Sequence, residues 1–331
     1  MARTRLLSPL VRGIATLVLV SSVLAGTGSL SSAATLPHVW VEPGAGYGFV
    51  TTAINGARVS VDLSMYELND PAIEAALMKK AASGVRVRVI LDSAYAGASA
   101  NAGSYAVLKN SRVQVVWANA NQIFHAKYLV VDAKSAYVGT GNLTAQWYSS
   151  TRDFWVLDTA PADVASIEAT FASDFSSRSG AQRASSSSLV WSPGATTSLV
   201  ALMNSAHTSL LVENEEMYSY PIEDALVAAA ARGVHVDVVM TYSSSWTSAW
   251  NYLASHGVSV RVLPTSGLYI HAKAICVDCS SGGEVFVGSQ NFSTSSLSYN
   301  RELGVVTKDT ATVSAVSAAI TSDYASGSTS W

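Results

Sequence analysis

Two segments of the chain set a histidine, a lysine and an aspartate at one spacing: His125, Lys127 and Asp132 within residues 124–132, and His271, Lys273 and Asp278 within residues 270–278. Both segments are apolar and rich in β-branched residues, so each reads as a strand. Residues i and i+2 of a strand share a face, which puts an imidazole and an ammonium into one pocket. A pair of apolar strands has no packing reason to carry His and Lys on one face. Asp132 and Asp278 complete the two motifs and count with them as catalytic positions. Their odd spacing from the histidines turns them to the other strand face, which gives them a supporting role. Downstream lie Gly139-Thr140-Gly141-Asn142 and Gly288-Ser289-Gln290-Asn291. Glycine lets the backbone approach a ligand, while Thr140, Asn142, Ser289 and Asn291 carry hydroxyls and amides able to donate to phosphate oxygens. An acid follows each asparagine by eleven positions, Asp153 in one copy and Glu302 in the other.

This residue set suits attack on a phosphodiester. Such a group is anionic and repels anionic nucleophiles, so a neutral imidazole can attack it and an imidazolium opposite can protonate the leaving alcohol. The lysines and amides would hold the non-bridging oxygens as charge builds in the transition state. Asp153 and Glu302 would fix the histidine tautomers. The near-symmetry of the two copies leaves either histidine able to attack, with His125 favoured as nucleophile and His271 as acid.

The elements that position these residues come in duplicate. Val39-Trp40-Val41-Glu42-Pro43-Gly44 is answered by Val190-Trp191-Ser192-Pro193-Gly194, and Met65-Tyr66 by Met217-Tyr218. Pro71 and Pro221 open helical patterns that stop at Gly84 and Gly233, and strands follow over 85–91 and 234–240. Asp153-Phe154-Trp155 and Glu302-Leu303-Gly304 then precede final helices holding Ser173-Asp174-Phe175 and Ser322-Asp323-Tyr324. The expected architecture is α/β: two similar α/β sandwich halves, mixed sheets flanked by helices, related by a pseudo-two-fold axis and sharing one cleft. The halves span 35–180 and 189–331, joined by a Ser/Ala-rich linker at 181–188.

With both motifs and their Gly-x-x-Asn partners in view, the chain resembles the phospholipase D superfamily, defined by His-x-Lys-x4-Asp followed by Gly-Ser-x-Asn. The likeness covers nearly all of residues 35–331. It implies a covalent phosphohistidine intermediate, then attack by water or an alcohol. Thr140 departs from the family serine but keeps the hydroxyl, and three extra residues near Cys279 lengthen a turn.

Residues 1–34 read as a secretory signal peptide. Arg3, Arg5 and Arg12 precede an apolar run from Gly13 to Ala25, shorter than a membrane span, and Ser32-Ala33-Ala34 supplies a cleavage site. Secretion is expected. The remaining 17 basic and 23 acidic residues give a net charge of −6, which offers no general attraction to phosphate backbones. Cys276 and Cys279 either close a local disulfide or stay free, and a zinc site would need two more ligands. Nothing in the sequence calls for a metal or organic cofactor, or for an obligatory protein partner, and a monomer is expected.

His38, His207, His235 and His256 sit in no motif and read as ordinary surface or core residues. Met65, Tyr66, Met217 and Tyr218 read as strand-end core, with the tyrosines as candidates for the cleft wall. Trp147-Tyr148 and Leu268-Tyr269 could form an amphipathic rim. Glu213, Glu215 and Glu216 alternate along a strand and so read as solvated or supporting acids rather than a metal cluster. Hydrolysis of a phospholipid head-group ester at a membrane or micelle surface is the leading expectation. A nuclease is the alternative, which a basic cleft from Lys79, Lys80, Arg86 and Arg88 would favour. A cardiolipin synthase-like transferase and a non-catalytic phosphate-binding module stand behind both.

Overall fold

The structure, a computed structural model, describes residues 1–2, 38–177 and 186–331. The expected signal peptide lies outside the described residues except for Met1 and Ala2, and so does most of the expected linker. The first sheet contains β1 (Val39–Glu42), β2 (Ser60–Met65), β3 (Arg86–Leu91), β4 (Gln114–Trp117), β5 (Tyr128–Val131), β6 (Ser135–Gly139) and β7 (Thr151–Asp158). The second contains β8 (Leu189–Ser192), β9 (Ser209–Asn214), β10 (His235–Thr241), β11 (Ser259–Leu263), β12 (Lys273–Val277), β13 (Glu284–Gly288) and β14 (Glu302–Thr307). Their spatial orders are the same, β1-β7-β6-β5-β2-β3-β4 and β8-β14-β13-β12-β9-β10-β11. In each, three strands run parallel and the rest antiparallel. The duplicated mixed α/β architecture is therefore present.

Alternation along the strands sorts three cores. Val61, Leu63 and Met65 of β2 face an outer core with helices α1 (Gly48–Gly56), α2 (Pro71–Ala82) and α3 (Gly97–Lys109). Leu210 and Val212 of β9 do the same with α5 (Ala195–Asn204), α6 (Tyr220–Ala231) and α7 (Thr247–Ser255). Between the sheets lies a shared core, to which Tyr128, Val130, Ala274 and Cys276 contribute, together with α4 (Pro161–Ser177) and α8 (Thr310–Ser326). One hydrophobic core thus runs through both halves, and Pro37–Trp331 form one compact unit.

Local chemistry explains the helix limits. Asp70 caps α2 by accepting from Ala72 and Ile73 N–H, and Pro71 occupies its first turn. Gly84 and Gly233 end α2 and α6 at φ of +92° and +87°, where a side chain would be strained.

The duplication has a different register from the Met-Tyr dipeptides. Ser64 pairs with Tyr128, whereas Asn214 pairs with Lys273, so Asn214 is the counterpart of Met65 and Glu215 that of Tyr66. Met217–Tyr218 instead matches Leu68–Asn69, each a two-residue strand paired beyond the Gly-x-x-Asn turn. Strand ladders set the register, and the repeated dipeptide is coincidental.

Candidate active site

Each histidine stands just ahead of its strand, in a segment held by the opposite half. The N–H groups of His125 and Ala126 both donate to Arg301 C=O at 2.9 Å, and Arg301 N–H donates to Ile123 C=O at 2.8 Å. Reciprocally, Tyr269 N–H reaches Ser150 C=O at 2.8 Å and His271 N–H reaches Arg152 C=O at 3.2 Å. Tyr269–Ile270 thereby joins the first sheet beside Thr151–Arg152. The arginines cross as well. Arg152 pairs with Asp323 at 2.5 Å, and Arg301 pairs with Asp174 at 3.0 Å, the latter with both side chains 1% exposed.

The acids follow the same exchange. His125 Nδ1 lies 2.8 Å from Glu302 Oε2, and His271 Nδ1 lies 2.9 Å from Asp153 Oδ1. Each ring is oriented by a carboxylate from the other half, which leaves its Nε2 for chemistry. Glu302 accepts from Ser296 Oγ at 2.7 Å and Asn300 Nδ2 at 3.1 Å, and Asp153 accepts from Thr140 Oγ1 at 2.6 Å. Burial would raise both carboxyls, but the histidines opposite lead the interactions that hold them below their ordinary values.

The two copies differ in charge around this symmetric frame. Lys127 Nζ donates to His125 C=O at 2.7 Å and stands 5.1 Å over the Tyr66 ring. Lys273 also donates to its histidine's C=O, but pairs at 2.8 Å with Glu215, the counterpart of Tyr66. Glu215 Oε2 also lies 3.7 Å from His271 Nε2. Burial, and then the Lys273 charge, push the Lys127 ammonium down to about 7. Burial, partly offset by Glu302, pushes His125 down to about 4. For Glu215, burial would raise the carboxyl, but Lys273 and His271 hold it far below its ordinary value. His125 is therefore a neutral base at neutral pH, while His271 has a carboxylate near each ring nitrogen.

Several expected site residues stand elsewhere. Asp132 accepts N–H bonds from Arg58, Val59 and Ser60 at 2.7–3.0 Å, and Asp278 accepts from His207, Thr208 and Ser209 at 2.8–3.0 Å. Both lie at the far ends of β5 and β12, where they tie the turn to the start of the neighbouring strand, β2 or β9, and their bonds are to that backbone rather than to the histidines. Thr140 and Ser289 are fully buried, and their hydroxyls accept from Phe154 and Leu303 N–H at 2.9 and 3.1 Å. They brace the acid-bearing strands rather than face a ligand. The Gly-x-x-Asn glycines serve packing too: a Cβ at Gly141 would stand 2.8 Å from Asp153 Cγ. Asn142 and Asn291 each bury an amide oxygen with no partner among the described residues. Asn142 also lines a cavity of about 490 Å³ beside His271, with Glu67, Trp147, Tyr148 and Tyr269 on its walls.

Glu215 and Tyr66 are direct neighbours of the reacting groups, and the dipeptide register hid their equivalence. Glu213 is not solvated but fully buried, and burial with Asp323 beside it raises its carboxyl. Cys276 and Cys279 form a disulfide remote from the histidines. Arg86 and Arg88 both bond to buried Asp62, and Lys79 and Lys80 occupy the last turn of α2, so these four line no cleft at the site. His38, His235 and His256 bond to Asp309, Asp237 and Tyr252 away from the site.

Comparison with known proteins agrees with this geometry. Residues 50–175 and 199–324 each match the family model described as cardiolipin synthase, PLD-like domain. A phospholipase D of Rickettsia bellii is 29% identical over 97 residues, covering 29% of this chain and 47% of that protein. The human mitochondrial cardiolipin hydrolase is 29% identical over 101 residues, covering 30% of this chain and 39% of that protein. The matches thus span less than half the length of these relatives. Among solved structures, a phosphatidylserine synthase of Haemophilus influenzae superposes with TM-score 0.66 at 10% identity, over 87% of this chain and 86% of that one. The polyphosphate kinase of Porphyromonas gingivalis superposes with TM-score 0.63 at 16% identity, over 82% of this chain and 47% of that one. These two likenesses concern the fold.

Proposed function

From the premise that the chain belongs to the PLD-like domain family, matched in both of its halves, we propose that it is a phosphodiesterase acting on the head-group ester of phospholipids. The observation that carries this reading is the crossed pair His125–Glu302 and His271–Asp153, with a buried lysine beside each ring. His125 Nε2 attacks phosphorus and forms a P–N bond as the P–O bond to the head-group alcohol breaks. The leaving oxygen takes a proton from His271 Nε2. Lys127 and Lys273 stabilise the non-bridging oxygens, joined by the amides of Asn142 and Asn291. In the second step His271 removes a proton from water, whose oxygen attacks phosphorus and releases His125 and phosphatidate. An alcohol in place of water gives head-group exchange.

Lipid is favoured over nucleic acid by the cavity beside His271. Its walls carry Glu67 and three aromatic rings and no lysine or arginine, which suits a neutral or cationic alcohol better than the next phosphate of a polyanion. The reading includes export, on the strength of the N-terminal sequence, and a monomeric protein. Phosphatidylcholine incubated with the protein should yield phosphatidic acid and choline, and His125→Ala should lower the rate by at least about 10³-fold. Equal product from the two proteins would refute the assignment, and cleavage of DNA but not lipid would transfer it to a nuclease.

A further inference from the structure

The exposed aromatic and exposed basic side chains stand at opposite edges of the two sheets. His125 and His271 mark one edge, where β2, β3, β9 and β10 end and β5, β7, β12 and β14 begin. All seven strongly exposed aromatic residues among the described ones lie at that edge. Tyr95 follows β3 and Tyr242 follows β10, while Tyr218 and Tyr220 follow β9. Trp147 and Tyr299 sit in the connections leading into β7 and β14, and Tyr269 stands two residues before His271. Tyr95 is 89% exposed, Tyr220 77%, Tyr299 67% and Tyr218 64%.

The exposed cations among the described residues are all at the other edge. Arg58 precedes β2, Arg86 opens β3 and Arg112 precedes β4. Lys79, Lys109 and Arg232 close α2, α3 and α6, Lys134 turns β5 into β6, and Lys308 follows β14. Helix C-termini account for the three that close helices, since cations there complement the helix dipole. That does not account for the lack of exposed cations at the catalytic edge among the described residues. There the basic residues are Lys127, Lys273, Arg152 and Arg301, each buried or nearly so and committed to the site or to an ion pair across the halves.

We infer that the catalytic edge is a docking face for a net-neutral, zwitterionic phospholipid surface, an inference that rests on the lipid reading above. Tyr and Trp rings settle at the head-group level of a bilayer, with the apolar body inserted and the polar tip wet. An anionic surface or a nucleic acid would be held by exposed lysine and arginine, which this edge lacks among the described residues, and the acids Glu67, Glu215 and Glu216 stand there instead. The aromatic rim brings the cleft to the interface, and the buried lysines meet a single phosphate drawn out of it.

The test is sedimentation of the full chain with vesicles of phosphatidylcholine or of phosphatidylglycerol, in a His125→Ala background so that the lipid stays uncleaved. The variant is Tyr218→Ser/Tyr220→Ser/Tyr299→Ser. Both chains carry the same residues 1–37, so the difference between them reads the rim. The variant should partition onto phosphatidylcholine about tenfold more weakly, from roughly 0.5 kcal/mol per ring. With His125 restored, its turnover of the soluble diester bis(p-nitrophenyl) phosphate should match that of the chain with all three tyrosines. Should the triple variant lose soluble turnover, Tyr95→Ser gives the same comparison with about a twofold expected loss. Equal sedimentation of variant and parent, or tighter binding to phosphatidylglycerol than to phosphatidylcholine at low salt, would overturn the docking face. Binding here needs no turnover, so a failure to cleave phosphatidylcholine sinks the reaction and not the surface.

Discussion

The pH profile is the sharpest consequence of the site's electrostatics, because the active form needs His125 neutral and Lys127 charged at once. Burial pushes His125 down to about 4, and burial with the Lys273 charge pushes Lys127 down to about 7. On the acid side, kcat/KM should rise as pH passes about 4 and His125 loses its proton. On the alkaline side it should fall as pH passes about 7 and Lys127 loses its own. Two pH units above that midpoint only about 1 in 100 free enzyme molecules keeps the ammonium, so kcat/KM at pH 9 should be roughly a hundredfold below its plateau. A bound phosphodiester places an anion beside Lys127 and favours its charged form, so the alkaline limb of kcat should lie above that of kcat/KM. Initial rates on bis(p-nitrophenyl) phosphate from pH 3.5 to 10.5 at fixed ionic strength measure both. A Lys127→Arg variant stays charged throughout and should lose the alkaline limb at a lower plateau. An alkaline limb of kcat/KM at the value of an exposed lysine, near 10, would refute the reasoning.

Three further outcomes follow from the same geometry. His271→Ala should lose about 10²–10⁴-fold in turnover on phosphatidylcholine, whereas on a p-nitrophenyl ester, whose leaving group needs no proton, it should keep a first-turnover burst of p-nitrophenol and lose the water-activated second step, and His125→Ala should show no burst on either; the reverse pattern would exchange the two roles. Asp132→Ala removes the acceptor of three backbone N–H groups and should cost roughly 1–3 kcal/mol in urea unfolding with kcat unchanged; a large loss of kcat would return Asp132 to the catalytic set. Arg301→Met strips Asp174 of its buried guanidinium and should cost about 3–5 kcal/mol, most of it recovered by Arg301→Met/Asp174→Leu; no recovery would mean the ion pair is not the source of the loss.

The fold and the central residues were legible because strand alternation and helix stops are local signals. The segments 85–91 and 234–240, read as strands from β-branched runs, are β3 and β10 within one residue at either end. His125, Lys127, His271 and Lys273 stood out because apolar strands give no packing reason for them. What the sequence hid was which half each acid serves. Spacing puts Asp153 and Glu302 downstream of their own histidines, but only the exchange of Ile123–Ala126 and Tyr269–His271 between halves sends them to the other. Thr140 and Ser289 were misread for a similar reason: a hydroxyl next to glycine can face a ligand or the adjoining strand, and composition does not choose. The equivalence of Glu215 with Tyr66 stayed hidden because a repeated Met-Tyr dipeptide suggests another register than the strand ladders, which no local pattern records.

Substitutions at equivalent positions explain how a duplicated site can perform an unsymmetrical reaction. Some preserve a contact while changing its charge. Asp92 Oδ1 accepts Phe124 N–H at 2.6 Å and Thr241 Oγ1 accepts Ile270 N–H at 2.7 Å, so carboxyl and hydroxyl do one positioning task just before the two histidines. Burial raises Asp92 to about 7, which limits the negative charge it adds beneath Lys127. Others remove a contact altogether. Glu215 supplies Lys273 and His271 with a carboxylate, whereas Tyr66, its counterpart, offers Lys127 and His125 only a ring. A two-fold symmetric site would give both imidazoles the same intrinsic proton affinity, so nothing in it would choose which of them carries a single shared proton. The reaction needs one charged and one neutral at one pH. The Tyr66/Glu215 exchange breaks that tie by adding a second carboxylate beside His271 only, which under the proposed mechanism suits the first copy to attack and the second to donate the proton.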